Sequence, residues 1–179
     1  FLMPVNAALP VPRKAGEFVI NMTSGSELLL SSFKGKVVMV EFLFTRCPHC
    51  QDSTRIMNKL YAELGPKGFQ PVGIAIDTMD HMLVPDFIKT FNVKYPVGYA
   101  QREAALKYLG FNPMERWVVP QIMVIDRQGN IRMQTPAAGD PAMQTEAGMR
   151  AEIEKLLNER SGPAAKPAAT TPASKKKAG

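Results

Sequence analysis

Val37-Val38-Met39-Val40-Glu41-Phe42-Leu43-Phe44-Thr45-Arg46-Cys47-Pro48-His49-Cys50 is the stretch around which the chain is organised. Its first eight residues are almost continuously apolar and rich in β-branched and aromatic side chains. That pattern predicts a strand buried on both faces of a mixed or parallel sheet. Beyond Cys47 the pattern changes to a helix, with Ile56, Met57, Leu60, Tyr61 and Leu64 on one face and Gly65-Pro66 at its end. Cys47 and Cys50 are the only cysteines in 179 residues. A structural staple stabilises most when it closes a long loop. A ring with two residues between its cysteines adds little stability, so the spacing points to thiol–disulfide chemistry.

Working outward, Glu17–Ile20 and Glu27–Leu30 read as a hairpin around the turn Thr23-Ser24-Gly25-Ser26, while residues 11–16, with Pro12, read as irregular. Downstream, strands are expected over residues 69–76, 95–99 and 121–125, and a hairpin partner over residues 131–134. Helices are expected over residues 86–91 or a little earlier, 101–109 and 145–160. Alternating strands and helices, then a hairpin and a last helix, predict a three-layer α/β sandwich. Three segments result: an N-terminal arm over residues 1–16, which reads as a signal or anchor remnant or a loose arm, a body over 17–160, and a disordered basic tail over 161–179.

The formal charge is +6, but Lys166, Lys175, Lys176 and Lys177 of the tail carry four of those charges. The body is therefore close to neutral, without the basic and aromatic clusters that nucleic-acid binding requires. No run of residues is long enough to span a membrane.

A thiolate is the attacking species in disulfide exchange. Cys47 at a helix N-terminus would meet free N–H groups and the positive end of the helix dipole. His49 and Arg46 supply donors or positive charge beside it, and Cys50 one turn later is placed to resolve. On these residues the chain resembles the thioredoxin-fold thiol–disulfide oxidoreductases. Cys47-Pro48-His49-Cys50 resembles the DsbA-type active site. The spacing from Cys50 to Pro120, the N-terminal hairpin and Phe33-Lys34-Gly35-Lys36-Val37-Val38 resemble the TlpA/ResA branch, which has one inserted strand–helix unit. The resemblance implies that Glu41 is a buried acid that relays a proton to the resolving cysteine. It implies a cis bond at Val119-Pro120, facing the sulfurs and presenting backbone to an extended substrate. It also implies protein substrates with cysteines, a redox partner protein, no cofactor, a monomer, and an extracytoplasmic setting, periplasmic or secreted, with or without a membrane anchor.

The sequence departs from the family pattern in two places. Thr45 stands where a tryptophan is usual. Asp77-Thr78 stands where reductive members often carry a glutamate. The pair of residues between the cysteines favours an oxidant, whereas the frame more often serves reduction. Two other readings use the same cysteines. A copper-delivery module would hold metal on Cys47, Cys50 and a distant histidine, but none follows His81. A peroxiredoxin would need an upstream proline and a different spacing around Thr45. His81, with Asp77, Asp80 and Asp86, reads as a solvated helix start rather than a metal site, and Trp117 reads as packing.

Overall fold

A computed structural model describes residues 8–159. The arm over 1–16 falls partly, and the tail over 161–179 wholly, outside the described residues.

The predicted central strand is β4 (Val37–Leu43), buried at all seven positions. It lies between β5 (Phe69–Ala75), which runs parallel to it, and β7 (Gln121–Ile125), which runs antiparallel. The remaining strands are β1 (Arg13–Lys14), β2 (Val19–Asn21), β3 (Glu27–Leu29), β6 (Val97–Tyr99) and β8 (Asn130–Gln134). Among the described residues they form one mixed sheet, in the order β1-β8-β7-β4-β5-β6-β2-β3. The helices are α1 (Pro48–Leu64), α2 (Asp80–Phe91), α3 (Arg102–Leu109) and α4 (Glu146–Asn158). This is a thioredoxin-like three-layer arrangement, and α2 with β6 forms an added helix–strand unit between β5 and α3.

Strand periodicity divides the core in two. Val37, Met39 and Leu43 point to one face, with Met57 and Leu60 of α1 and Met149 and Ile153 of α4. Val38, Val40 and Phe42 point to the other, with Phe18, Ile20, Leu106 and Leu109. Glu41 shares the parity of Met39 and Leu43, so the sheet itself sends this acid toward α1.

Two expectations need correction. Residues 11–16 are not wholly irregular, because Arg13 and Lys14 pair with Ile131 and Asn130 at the sheet edge. A two-residue strand beside Pro12 leaves no periodic signal. α2 starts at Asp80, six residues before the predicted Asp86. Pro85 lies inside it and reads in sequence as a breaker.

α4 starts on a close backbone approach. Thr145 caps it, its hydroxyl accepting from the Gly148 amide at 3.1 Å. A Cβ at Gly148 would stand 2.0 Å from the Ala142 carbonyl oxygen. Gly→Ala inside a helix ordinarily stabilises by roughly 0.5–1 kcal/mol. Here the obstacle is backbone, so Gly148→Ala is expected to destabilise by about 1–3 kcal/mol. A fall in the urea midpoint at constant m would show it; a rise would refute the close approach.

Candidate active site

The turn from β4 into α1 presents the two cysteines, and it is pinned from both sides. The Thr45 amide donates to Asp77 Oδ2 at 2.9 Å, and the Gln51 side chain donates to the Thr45 carbonyl at 3.0 Å. Cys47 then takes extended backbone angles as the N-cap of α1, and Pro48 occupies the first turn, where its missing N–H costs nothing. The Cys50 amide points at Cys47 Sγ from 3.4 Å. This amide and the positive end of the helix dipole therefore face Cys47 Sγ. Cys47 is partly exposed and Cys50 fully buried, and both are free thiols.

Burial pushes the Cys50 thiol far up, and the Glu41 carboxyl and the Cys47 sulfur add to the shift. Glu41 is itself fully buried. Burial raises its carboxyl to about 8, against a smaller opposing pull from Ser53 and Thr54. The Ser53 hydroxyl donates to Glu41 Oε1. The acid is therefore anchored beneath α1 and carries a proton into the neutral range.

Opposite the cysteines, the Val119–Pro120 bond is cis. The Val119 carbonyl oxygen lies 3.9 Å from Cys47 Sγ. The loop before Pro120 is held by Gln121, whose buried amide donates to the Val118, Pro136 and Ala137 carbonyls at 2.8, 3.2 and 3.2 Å. The Thr135 hydroxyl donates to Gln121 Oε1 at 2.7 Å. Trp117 packs edge-on against Phe44 at 5.9 Å, and the Arg102 guanidinium lies over both rings.

Of the residues selected from sequence, Cys47, Cys50, Glu41, Pro48, Val119 and Pro120 converge. His49 and Arg46 are exposed beside them, and the His49 ring has no hydrogen bond to Cys47 among the described residues. His81 lies apart, against Asp80 and 6.2 Å from the Tyr99 ring. Among the described residues no three or more His, Cys, Asp or Glu side chains gather as a metal site would require. Sequence reasoning missed Asp77 as the anchor of the turn, Ser53 as the donor to Glu41 and Gln121 as the lock of the cis-proline loop. Ser53 left a signal, as one of two adjacent small polar residues, with Thr54, on the buried face of the helix one turn after Cys50.

Comparison with known proteins agrees with this geometry. The profile of the Redoxin family matches residues 10–153. Thiol-disulfide oxidoreductase ResA of Bacillus thuringiensis subsp. konkukian is 28% identical over 123 residues, covering 69% of this chain and 68% of ResA. ResA of Geobacillus thermodenitrificans is 25% identical over 125 residues, covering 70% and 68%. Among solved structures, a putative thiol:disulfide interchange protein DsbE from Chlorobium tepidum superposes with a TM-score of 0.69 at 25% identity, over 84% of this chain and 99% of that one. A putative protein disulfide isomerase from Bacteroides thetaiotaomicron gives 0.68 at 24% identity, over 88% and 96%. The chain belongs to the Redoxin family, as a thioredoxin-fold relative of the ResA-type thiol–disulfide oxidoreductases.

Proposed function

We propose that this thiol–disulfide oxidoreductase works by two-cysteine exchange with protein thiols and disulfides, with Cys47 as nucleophile and Cys50 as resolving thiol. The observation that carries the reading is the asymmetry of the pair. Cys47 is reachable at a helix N-terminus, while Cys50 is buried one turn on, beside a protonatable acid.

In the reductive direction the Cys47 thiolate attacks a substrate disulfide. A Cys47–substrate disulfide forms, and the first substrate sulfur leaves as a thiolate that takes up a proton. Cys50 then passes its proton to Glu41 in its ionised form, which grows as pH approaches about 8, and attacks Cys47 Sγ. The Cys47–Cys50 bond forms, the second substrate thiolate leaves, and two electrons have moved to the substrate. Run backward, the same steps install a disulfide. No cofactor is needed. Val119 and Pro120 give an extended substrate segment a backbone to pair with beside Cys47, as in strand addition.

Pro48-His49 between the cysteines argues for the oxidising direction, and the ResA-type frame for reduction. The resemblance of the hairpin, the segment before β4 and the Cys50-to-Pro120 spacing to the ResA-type branch is the ground for an extracytoplasmic setting and a second redox protein that resets the dithiol.

Equilibration in glutathione buffers, with the single Trp117 as fluorescence reporter, tests the reading. A Cys47–Cys50 disulfide with loss of two hydrogens is expected. A potential near about −120 mV assigns disulfide introduction, and one near about −270 mV assigns reduction. Failure to form the disulfide at any glutathione ratio overturns the exchange.

A further inference from the structure

Met79 and Met82 are 51% and 60% exposed, and among the described residues only Met114 is a more exposed large apolar side chain. Scattered apolar side chains on a surface need no explanation, but grouped ones mark interaction sites. These two are grouped. They stand three positions apart at the start of α2, so they share one side of the helix. With Arg46, Asp77, Thr78 and half-buried Leu83 they line an open hollow of 470 Å³. That lies within the range of roughly 300–1,000 Å³ that bound molecules fill. A second hollow continues it toward Phe87 and Phe91, and Arg46 and Leu83 belong to both. Arg46 is the residue before Cys47, so the groove begins at the reactive cysteine.

The sheet order explains its place. β4 ends in the cysteine turn, with β7 on one side and β5 on the other. β7 opens on Val119-Pro120, so the cis-proline loop borders the turn from that side. β5 ends at Ala75 beside Leu43, and the chain leaving it passes Asp77, which holds the Thr45 amide, before entering α2. The added helix–strand unit therefore borders the turn from the opposite side. A polypeptide laid across Cys47 from the cis-proline loop runs on toward the methionines.

We propose that Met79 and Met82, with Leu83, form a specificity surface that takes an apolar side chain of the substrate protein close to its reacting cysteine. The inference rests on the exchange reading above and adds a substrate class to it: cysteine segments that carry a large apolar residue. Charge adds little to the choice. Arg46 and Asp86 border the groove with opposite signs, and the Asp77 carboxylate accepts from the turn. Thioether side chains are flexible and polarisable, so the surface suits leucine, phenylalanine or methionine rather than one fixed sequence.

The test uses short peptides with a single cysteine, each held as a mixed disulfide with pyridinethiol and mixed with the reduced protein. The Cys47 thiolate attacks the peptide sulfur, a Cys47–peptide disulfide forms, and pyridinethione leaves and is read by its absorbance. One peptide carries leucines on both sides of its cysteine, and the other carries serines there. Neutral dipyridyl disulfide, which brings no peptide to dock, is the reference. Absence of pyridinethione from this reference in the parent protein defeats the exchange reading itself. Given that reaction, the parent is expected to react about tenfold faster with the leucine peptide than with the serine peptide. The double substitution Met79→Ala and Met82→Ala is expected to remove most of that preference, with the rates for dipyridyl disulfide and the serine peptide unchanged. Equal rates for the two peptides in the parent, a preference that survives the double substitution, or an equal loss with dipyridyl disulfide overturns the proposal. So does a dimer of the parent protein, seen by sedimentation, that the double substitution dissociates, since a second copy would then be the occupant of the groove.

Discussion

Replacing Cys50 by alanine is expected to turn the protein from a turnover catalyst into a single-use trap. Cys47 keeps what its attack requires: partial exposure, the N-cap position, the Cys50 backbone amide, which survives the substitution, and the Val119 carbonyl across from it. A substrate disulfide is still opened, and the mixed disulfide still forms. What disappears is the thiol that releases it. Steady-state turnover should fall by at least about a hundredfold, since one half of a two-step covalent mechanism is lost. The first substrate thiol should still appear, one per protein molecule. Alanine is the better replacement than serine because the position is fully buried, and a hydroxyl there would need a hydrogen-bond partner. Mass spectrometry should find the adduct on Cys47, and dithiothreitol should remove it. The matching Cys47→Ala variant should form no adduct, since Cys50 is out of reach and its thiol is held neutral. Parental turnover in Cys50→Ala, or an adduct on Cys50 in Cys47→Ala, would contradict the assigned roles.

Much of this site is legible in the sequence, but at different levels. The strand–turn–helix bearing the cysteines follows from residue pattern alone, because β4 is buried on both faces and so shows no polar interruption except Glu41. That interruption is informative: with parity fixed by Met39 and Leu43, Glu41 faces α1. The importance of Pro120 came from resemblance rather than from its own neighbourhood, since X–Pro in sequence does not announce its isomer. What stayed hidden depends on long-range approach. Tyr95 meets Glu41 from a loop 54 residues away, and Gln121 reaches carbonyls that lie 15 and 16 positions downstream. Asp77 read as the place of a missing glutamate. The fold instead uses it to hold the Thr45 amide, a role visible only once the ends of β4 and β5 lie side by side. Trp117 packs as expected, but on Phe44 beside the cysteine turn, so it also borders the site.

Glu41→Gln should make the protein more stable and less active at once, and the gain should depend on pH. The carboxyl is raised from 4.5 in the open chain to about 8 in the fold, chiefly by burial. Below about pH 4.5 it is protonated in both states, and linkage gives no penalty. Between 4.5 and 8 the unfolded chain ionises while the fold keeps its proton. Unfolding then releases a proton, and stability falls as pH rises. Above about 8 both states are charged, and the deficit stays constant at on the order of 5 kcal/mol. Glutamine has the same shape, carries no charge and keeps an acceptor for the Ser53 hydroxyl. Urea unfolding of both proteins should therefore nearly coincide at pH 4, diverge through neutrality, and at pH 9 favour Glu41→Gln by several kcal/mol. The resolving step should meanwhile slow by about a hundredfold or more, the usual contribution of a positioned acid–base group. A pH-independent difference in stability would show that the carboxyl does not stay protonated in the fold. A resolving rate unchanged in the variant would show that the proton of Cys50 leaves by another route. With both results as expected, the acid is a carboxyl that the core bears at the cost of stability, because among the described residues it is the one that acts on the buried thiol.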